Sequence, residues 1–151
     1  MTKNAITWIR EGFRIEDNPA LSYATQNHDS VLALYIYNKN DFDAKREAQK
    51  WWLSKSLEIF KSELSKFKIN LQILAGDELD IFSKIKKKDN ISIYWNKIYE
   101  PDVIAKGKKI RDLSKKSRLL IEEMYNKQVF INFTIKVLKW RNNNNFIRSN
   151  F

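Results

Sequence analysis

Apolar residues along this chain change their spacing repeatedly, and each change marks a new element. Asn4–Ile9 (NAITWI) is a short run that reads as a strand, and Asp17-Asn18-Pro19 supplies a helix start. Pro19 stands at the first helical position, where its missing N–H costs nothing, and Ala20, Leu21, Tyr23 and Ala24 continue the helix. Val31–Tyr37 (VLALYIY) is almost wholly apolar, the pattern of a strand covered on both faces in a parallel sheet. From Lys45 to Phe67 the period lengthens: Leu53, Leu57, Phe60, Leu64 and Phe67 fall on one helical face, and Trp52 and Ile59 are expected to widen it.

The alternation then continues. Asn70–Leu74 reads as a strand, Gly76-Asp77 as a turn and cap, and Leu79, Phe82 and Ile85 as one face of a helix. Ile91–Trp95 is the next strand. Glu100-Pro101 opens a helix whose apolar positions are Val103, Ile104, Ile110 and Leu113, with Gly107 inside it costing about 1 kcal/mol relative to alanine. Arg118–Ile121 is the last strand candidate. Alternating strands and helices of this kind predict an α/β fold: a Rossmann-like, doubly wound, five-stranded parallel sheet with helices on both faces. Ligands in such sheets sit outside the carboxyl ends of the strands. That directs attention to the loops Arg10–Asn18, Asn38–Asp43, Ala75–Asp77 and Asn96–Glu100.

Composition narrows the chemistry. A chain of 151 residues, 43% hydrophobic, can bury one sizeable core. It has no cysteine, hence no disulfide or thiolate chemistry, and its start lacks the apolar core of a signal peptide. No apolar stretch is long enough for a membrane span, so a soluble, cytoplasmic protein without membrane contact is expected. The net charge of +10 is uneven: residues 82–118 carry 12 Lys/Arg against 4 Asp/Glu. Residues 84–118 could therefore form a basic nucleic-acid-binding module, although no aromatic residues interleave with the lysines as a stacking platform requires. A solvated lysine-rich face is the better reading of that stretch.

Catalytic signatures are missing. His28 is the only histidine, in the turn QNHDS, which argues against a metal site and reads as a surface residue. The three glycines make no phosphate-cradling loop. In the first loop, Arg14 is placed to pair with Asp17, and Asp17 or Asn18 to cap the following helix. Glu16 and Asp17 do not converge on a common substrate position. The segment YWNKIYEP (Tyr94–Pro101) instead offers Trp95, Asn96, Tyr99 and Glu100 at the mouth of the sheet, where a planar ligand could stack.

These residues carry a resemblance. WIREGFRIEDNPAL, from Trp8 to Leu21, resembles the opening motif of the DNA photolyase/cryptochrome family, with Trp8, Arg10, Arg14, Asp17, Asn18, Pro19, Ala20 and Leu21 matching. VLALYIYN looks like the family's second strand, YWNKIYEP like its fourth strand and following loop, and LLIEEMYNK like a later conserved run. The resemblance implies the family's N-terminal α/β domain, which carries an accessory light-harvesting chromophore: a deazaflavin, a flavin or a folate. Arg10, Asn38, Asn96, Tyr99, Glu100 and Asp102 are the cofactor-binding candidates it implies, with Trp8, Arg14, Asp17, Asn18 and Pro19 as structural motif. Gly12 stands in place of a family aspartate, Ile98 in place of an arginine and Glu123 in place of a proline. Where folate-binding members have an Asn-Glu pair, Asp102 and Val103 stand here, and Val103 cannot accept a hydrogen bond from a pterin.

Residues 1–128 are thus expected to form the photolyase-type domain and residues 129–151 a divergent tail, a candidate for disorder. The family's large helical domain, which holds the flavin adenine dinucleotide, has no counterpart in the sequence. The resemblance therefore implies no bound FAD, no repair of pyrimidine dimers by this chain alone, and at most weak or indirect contact with DNA. A truncated gene, or a split one with a separately encoded helical FAD-binding chain, fits that pattern. A nonfunctional fragment is the alternative.

Overall fold

The computed structural model describes residues 4–85, 91–114 and 120–124. In chain order the elements are β1 (Asn4–Ile9), α1 (Pro19–Asn27), β2 (Ser30–Tyr37), α2 (Lys39–Asp43), α3 (Glu47–Ser65), β3 (Asn70–Ala75), α4 (Glu78–Ile85), β4 (Ile91–Asn96), α5 (Pro101–Ser114) and β5 (Leu120–Met124). β1 is central, with β2 and then β3 on one side and β4 and then β5 on the other. Every neighbouring pair is parallel. This is the α/β, Rossmann-like arrangement that the alternating pattern predicts, and the strand order reverses direction between β1 and β4.

Both faces of the sheet are covered, which explains why the central strands lack polar alternation. On one face Ile9 and Ala33 pack with Leu21 of α1 and with Leu53, Leu57 and Phe60 of α3. On the other, Trp8, Leu34 and Trp95 pack with Phe82 of α4 and Ile110 of α5. Trp8 meets Phe82 and Trp95 edge-on, at 5.0 and 5.6 Å between ring centres, the geometry aromatic quadrupoles favour. Each such side chain, fully buried, contributes about 1.5–3 kcal/mol.

Several sequence expectations are corrected. The described core rests on four strands, β3, β2, β1 and β4. The expected fifth strand at Arg118–Ile121 is described over Leu120–Met124, where backbone pairs from Ser92↔Leu120 to Asn96↔Met124 attach it to β4; residues 118 and 119 lie outside the described residues. Glu122 and Glu123 break the apolar pattern and hide the strand, but charge is well tolerated at a sheet edge. The expected loop Asn38–Asp43 contains α2, begun by Asn38, whose Oδ1 accepts from Asn40 N at 2.9 Å. Five residues are too few for helical periodicity to register.

Trp52 and Ile59 do not widen the buried stripe of α3: they are 61% and 64% exposed. His28 is not a plain surface residue either. It is half-buried, its Nε2 lies 2.8 Å from the Tyr94 hydroxyl, and its ring sits 5.4 Å from the Tyr94 ring. No helix among the described residues is long and apolar enough to cross a membrane, and none of their acidic or histidine side chains cluster as a metal site would need. The expected tail, residues 129–151, lies outside the described residues, as do the lysines at 86–88.

Candidate functional site

The loop from Arg10 to Asn18 leaves the carboxyl end of β1 and must turn sharply to enter α1. Gly12 (φ +74°) and Asp17 (φ +53°) supply the left-handed positions; glycine adopts such a φ at no steric cost, and aspartate tolerates it better than most residues. Arg14 and Asp17 pair at 3.2 Å, both partly exposed, so the pair adds little stability. Asn18 is buried at 2% exposure and caps α1: its Oδ1 accepts from Leu21 N at 3.1 Å while its Nδ2 donates to the Arg14 carbonyl at 3.2 Å.

Asn96, at the end of β4, reaches across to the same helix start. Its Oδ1 accepts from Ala20 N and its Nδ2 donates to Asn18 Oδ1, each at 2.9 Å. The Arg10 guanidinium donates to the Asn96 backbone carbonyl. It also lies over the Trp8 and Trp95 rings, 4.9 and 5.7 Å from their centres, a cation–π arrangement strengthened by partial desolvation. The loop is thereby tied at both ends to the strand-order reversal.

On the other side of this loop a cavity of about 970 Å³ opens between the loop, β2 and the first turns of α3. Its walls include Arg10, Phe13, Tyr35, Lys45, Trp52 and Ile59. Phe13 and Tyr35 meet edge-on at 5.4 Å. Burial pushes the Tyr35 phenol above its ordinary pKa, so it stays neutral. Lys45 and Arg10 bring positive charge to an otherwise aromatic wall, and Glu11 is the one carboxylate among the lining residues. A second cavity, of about 560 Å³, lies against the α4 face, with Leu32, Leu74, Ile81, Lys84 and Ile91 in its walls.

Of the cofactor-binding candidates, Arg10 lines the larger cavity. Asn96 is close by but spends its side chain on α1. Asn38 is engaged in capping α2. Tyr99, 69% exposed, has the Lys97 ammonium 5.2 Å from its ring centre, and Glu100 gives its carbonyl to Ile104 N at 3.0 Å. Asp102 is exposed in the first turn of α5. Among the structural-motif residues, Trp8 is buried in the core and Pro19 opens α1. Sequence reasoning missed Phe13, Tyr35, Lys45, Trp52 and Ile59 as a group. One signal was legible: Trp52, Ser56 and Ile59 keep helical spacing one position off the core stripe Leu53, Leu57 and Phe60.

Comparison with known proteins agrees with the fold. The family model for DNA photolyase matches residues 5–134. A deoxyribodipyrimidine photo-lyase of Agrobacterium fabrum is 32% identical over 111 residues, 73% of this chain and 23% of its own. Cryptochrome-1 of Mus musculus is 31% identical over 94 residues, 61% of this chain and 16% of its own. A class III photolyase from Agrobacterium tumefaciens superposes with a TM-score of 0.71 and 27% identity, over 83% of this chain and 26% of that one. An archaeal photolyase from Sulfolobus tokodaii, solved with two FAD molecules and discussed as implying a novel light-harvesting cofactor, gives 0.70 and 26%, over 81% and 29%. The chain thus spans between 16% and 29% of the length of these relatives. On this evidence the chain belongs to the DNA photolyase family and corresponds to its N-terminal α/β domain.

Proposed function

We propose that this chain is a light-harvesting domain that holds a planar chromophore, a flavin or deazaflavin in preference to a folate, in the cavity between the first loop and α3. The observation that carries the proposal is the lining of that cavity: aromatic Phe13, Tyr35 and Trp52 beside cationic Arg10 and Lys45, in about 970 Å³ at the carboxyl mouth of the sheet. Pockets for drug-sized ligands run from roughly 300 to 1,000 Å³ and combine such apolar walls with a few polar groups. When bound, the chromophore supplies absorption of near-ultraviolet or blue light. The chain's own residues stack against its ring, exclude water from one face and counter negative charge on its periphery.

Val103 at the position of a family glutamate argues against a folate held near the start of α5. In this proposal Tyr99, Glu100 and Asp102 belong to a neighbouring surface, facing a helical FAD-binding partner that carries out repair or signalling. Splitting of pyrimidine dimers by these residues alone is not part of the proposal. The test is uptake: the native protein is incubated separately with flavin mononucleotide, a deazaflavin and a reduced folate, then desalted, and its absorption and released ligand are measured. Stoichiometric uptake of a flavin or deazaflavin is expected. Failure to retain any of the three would overturn the proposal and favour a relic scaffold.

A further inference from the structure

We propose that β3 is a pairing edge for a second copy of this chain, the two β3 strands running antiparallel about a two-fold axis at Ile73. β3 and β5 are the outer strands of the sheet. A strand at an edge presents a row of unused backbone donors and acceptors, and charged side chains are a common guard against pairing there. The β5 sequence carries two such charges, Glu122 and Glu123. β3 carries none: Asn70–Ala75 (NLQILA) holds no charge and no proline, and Asn70, Gln72, Ile73 and Ala75 are exposed.

The register against β2 shows which backbone groups face outward. Gly76 N donates to the Tyr37 carbonyl at 3.0 Å, so the Ala75 carbonyl, on the opposite side of the same trans peptide, points away from β2. Along a strand the N–H and C=O of one residue share a side, and successive residues alternate. Leu71, Ile73 and Ala75 therefore turn both groups to the open edge, where no other described backbone group bonds to them. An antiparallel partner strand must set such residues opposite one another. A two-fold axis at Ile73 does this: Ile73 meets Ile73, and Leu71 of each copy meets Ala75 of the other, for roughly six backbone hydrogen bonds.

Side chains agree with that arrangement. Ile73 is the register partner of Tyr35 on the α3 face and is 43% exposed; pairing sets two of these isoleucines side by side. Exposed Lys68 precedes β3, and Asp77 and Glu78 follow it. Antiparallel pairing brings Lys68 of each copy alongside the acidic end of the other, whereas parallel pairing would set like charges together. Lys68 has no ion pair among the described residues. The proposal is independent of the chromophore reading, because β3 contributes no residue to the walls of that cavity.

The experiment is sedimentation equilibrium of the full chain over a range of concentrations, with amide hydrogen exchange followed by NMR at both ends of the range. Three variants, each confirmed folded by circular dichroism, are compared with it: Ile73→Lys, Lys68→Glu, and Lys68→Glu combined with Glu78→Lys. The native chain is expected to dimerise reversibly, with exchange at the Leu71, Ile73 and Ala75 amides slowed only in the dimer. Ile73→Lys sets two ammonium groups side by side at the axis and is expected to raise the dissociation constant at least about tenfold. Lys68→Glu is expected to raise it about threefold, and the double variant, with the charges exchanged, to recover that loss. A native chain that stays monomeric throughout would overturn the proposal, as would a dimer that Ile73→Lys leaves equally tight. A double variant no tighter than Lys68→Glu alone would refute the antiparallel arrangement.

Discussion

Replacing Asn18 isolates the junction on which the site is built. Its Oδ1 serves two donors, Leu21 N and Asn96 Nδ2, and its Nδ2 serves the Arg14 carbonyl. In Asn18→Ala the helix loses its cap, worth about 1 kcal/mol and within roughly 0.5–2. Asn96 Nδ2 loses its acceptor in a part-buried position, adding about 1–3 kcal/mol. The Arg14 carbonyl belongs to an exposed residue and recovers a water. The sum is about 2–4 kcal/mol, a large share of the roughly 5–15 kcal/mol typical of a folded domain.

Asn18→Asp tests the donor side of the junction. It keeps the acceptor for Leu21 N and Asn96 Nδ2, and a carboxylate at a helix amino terminus is favourable by about 0.3–1 kcal/mol. Asn18 is only 2% exposed, however, so the carboxylate loses hydration there and sets an oxygen against the Arg14 carbonyl, and at neutral pH this variant should be destabilised as well. Urea unfolding followed by far-ultraviolet circular dichroism measures both, from midpoints at unchanged slope. If either variant is as stable as the native protein at neutral pH, the reasoning about this junction is wrong.

Other consequences follow from single side chains. Trp52→Ala is expected to weaken flavin binding by about tenfold or more, on the scale of one lost stacking contact. Its unfolding midpoint should barely move, because Trp52 is 61% exposed; a large stability loss without an affinity change would refute its place in the cavity wall. Tyr94→Phe removes the hydroxyl 2.8 Å from His28 Nε2 and should cost about 0.5–1.5 kcal/mol in urea unfolding. A variant indistinguishable from native protein would mean water replaces that bond freely. Tyr35 is raised in pKa by burial, so its contribution is complete below the unfolded-state value of about 10 and is lost as pH rises through the folded one. Tyr35→Phe should flatten the alkaline fall in stability, and an unchanged alkaline limb would count against that burial.

How much of this was written in the sequence depends on the kind of signal. β2 was legible because a strand covered on both faces needs apolar residues throughout, and VLALYIY has them. The helix start at Pro19 was legible because Asn18-Pro19 is local chemistry. β5 was read only as far as Ile121 because an edge strand need not look apolar on either face, and Glu122-Glu123 reads as a loop. Trp52 and Ile59 were assigned to the core because hydrophobicity records what a residue resembles, not what covers it. Their place one position off the stripe Leu53, Leu57 and Phe60 was the one signal that they lie outside it. The pairing of Asn96 with Ala20 and Asn18 spans more than 70 positions, and only the parallel register of β1 against β4 brings those residues together.

That register explains why the candidate cavity lies where it does. Trp8 and Trp95 fill the α4/α5 face near the strand-order reversal, Tyr94 packs beneath Ala20 and Ala24 on the other face, and the smaller cavity lies beside Asn4, Ser30 and Ile91. The asparagine junction ties the start of α1 to the end of β4 at the strand-order reversal. The first loop, anchored there, projects Phe13 away from the reversal toward Tyr35 and Phe60. The larger space lies between that loop and the near face of α3, where Trp52 and Ile59 stand exposed. Two large apolar side chains left there forgo roughly 1.5–3 kcal/mol of burial apiece. A flat aromatic ligand seated over them would recover part of that free energy, and the charge of Arg10 and Lys45 would select one bearing anionic groups. The same junction, by anchoring the first loop, thus shapes the cavity proposed for a chromophore.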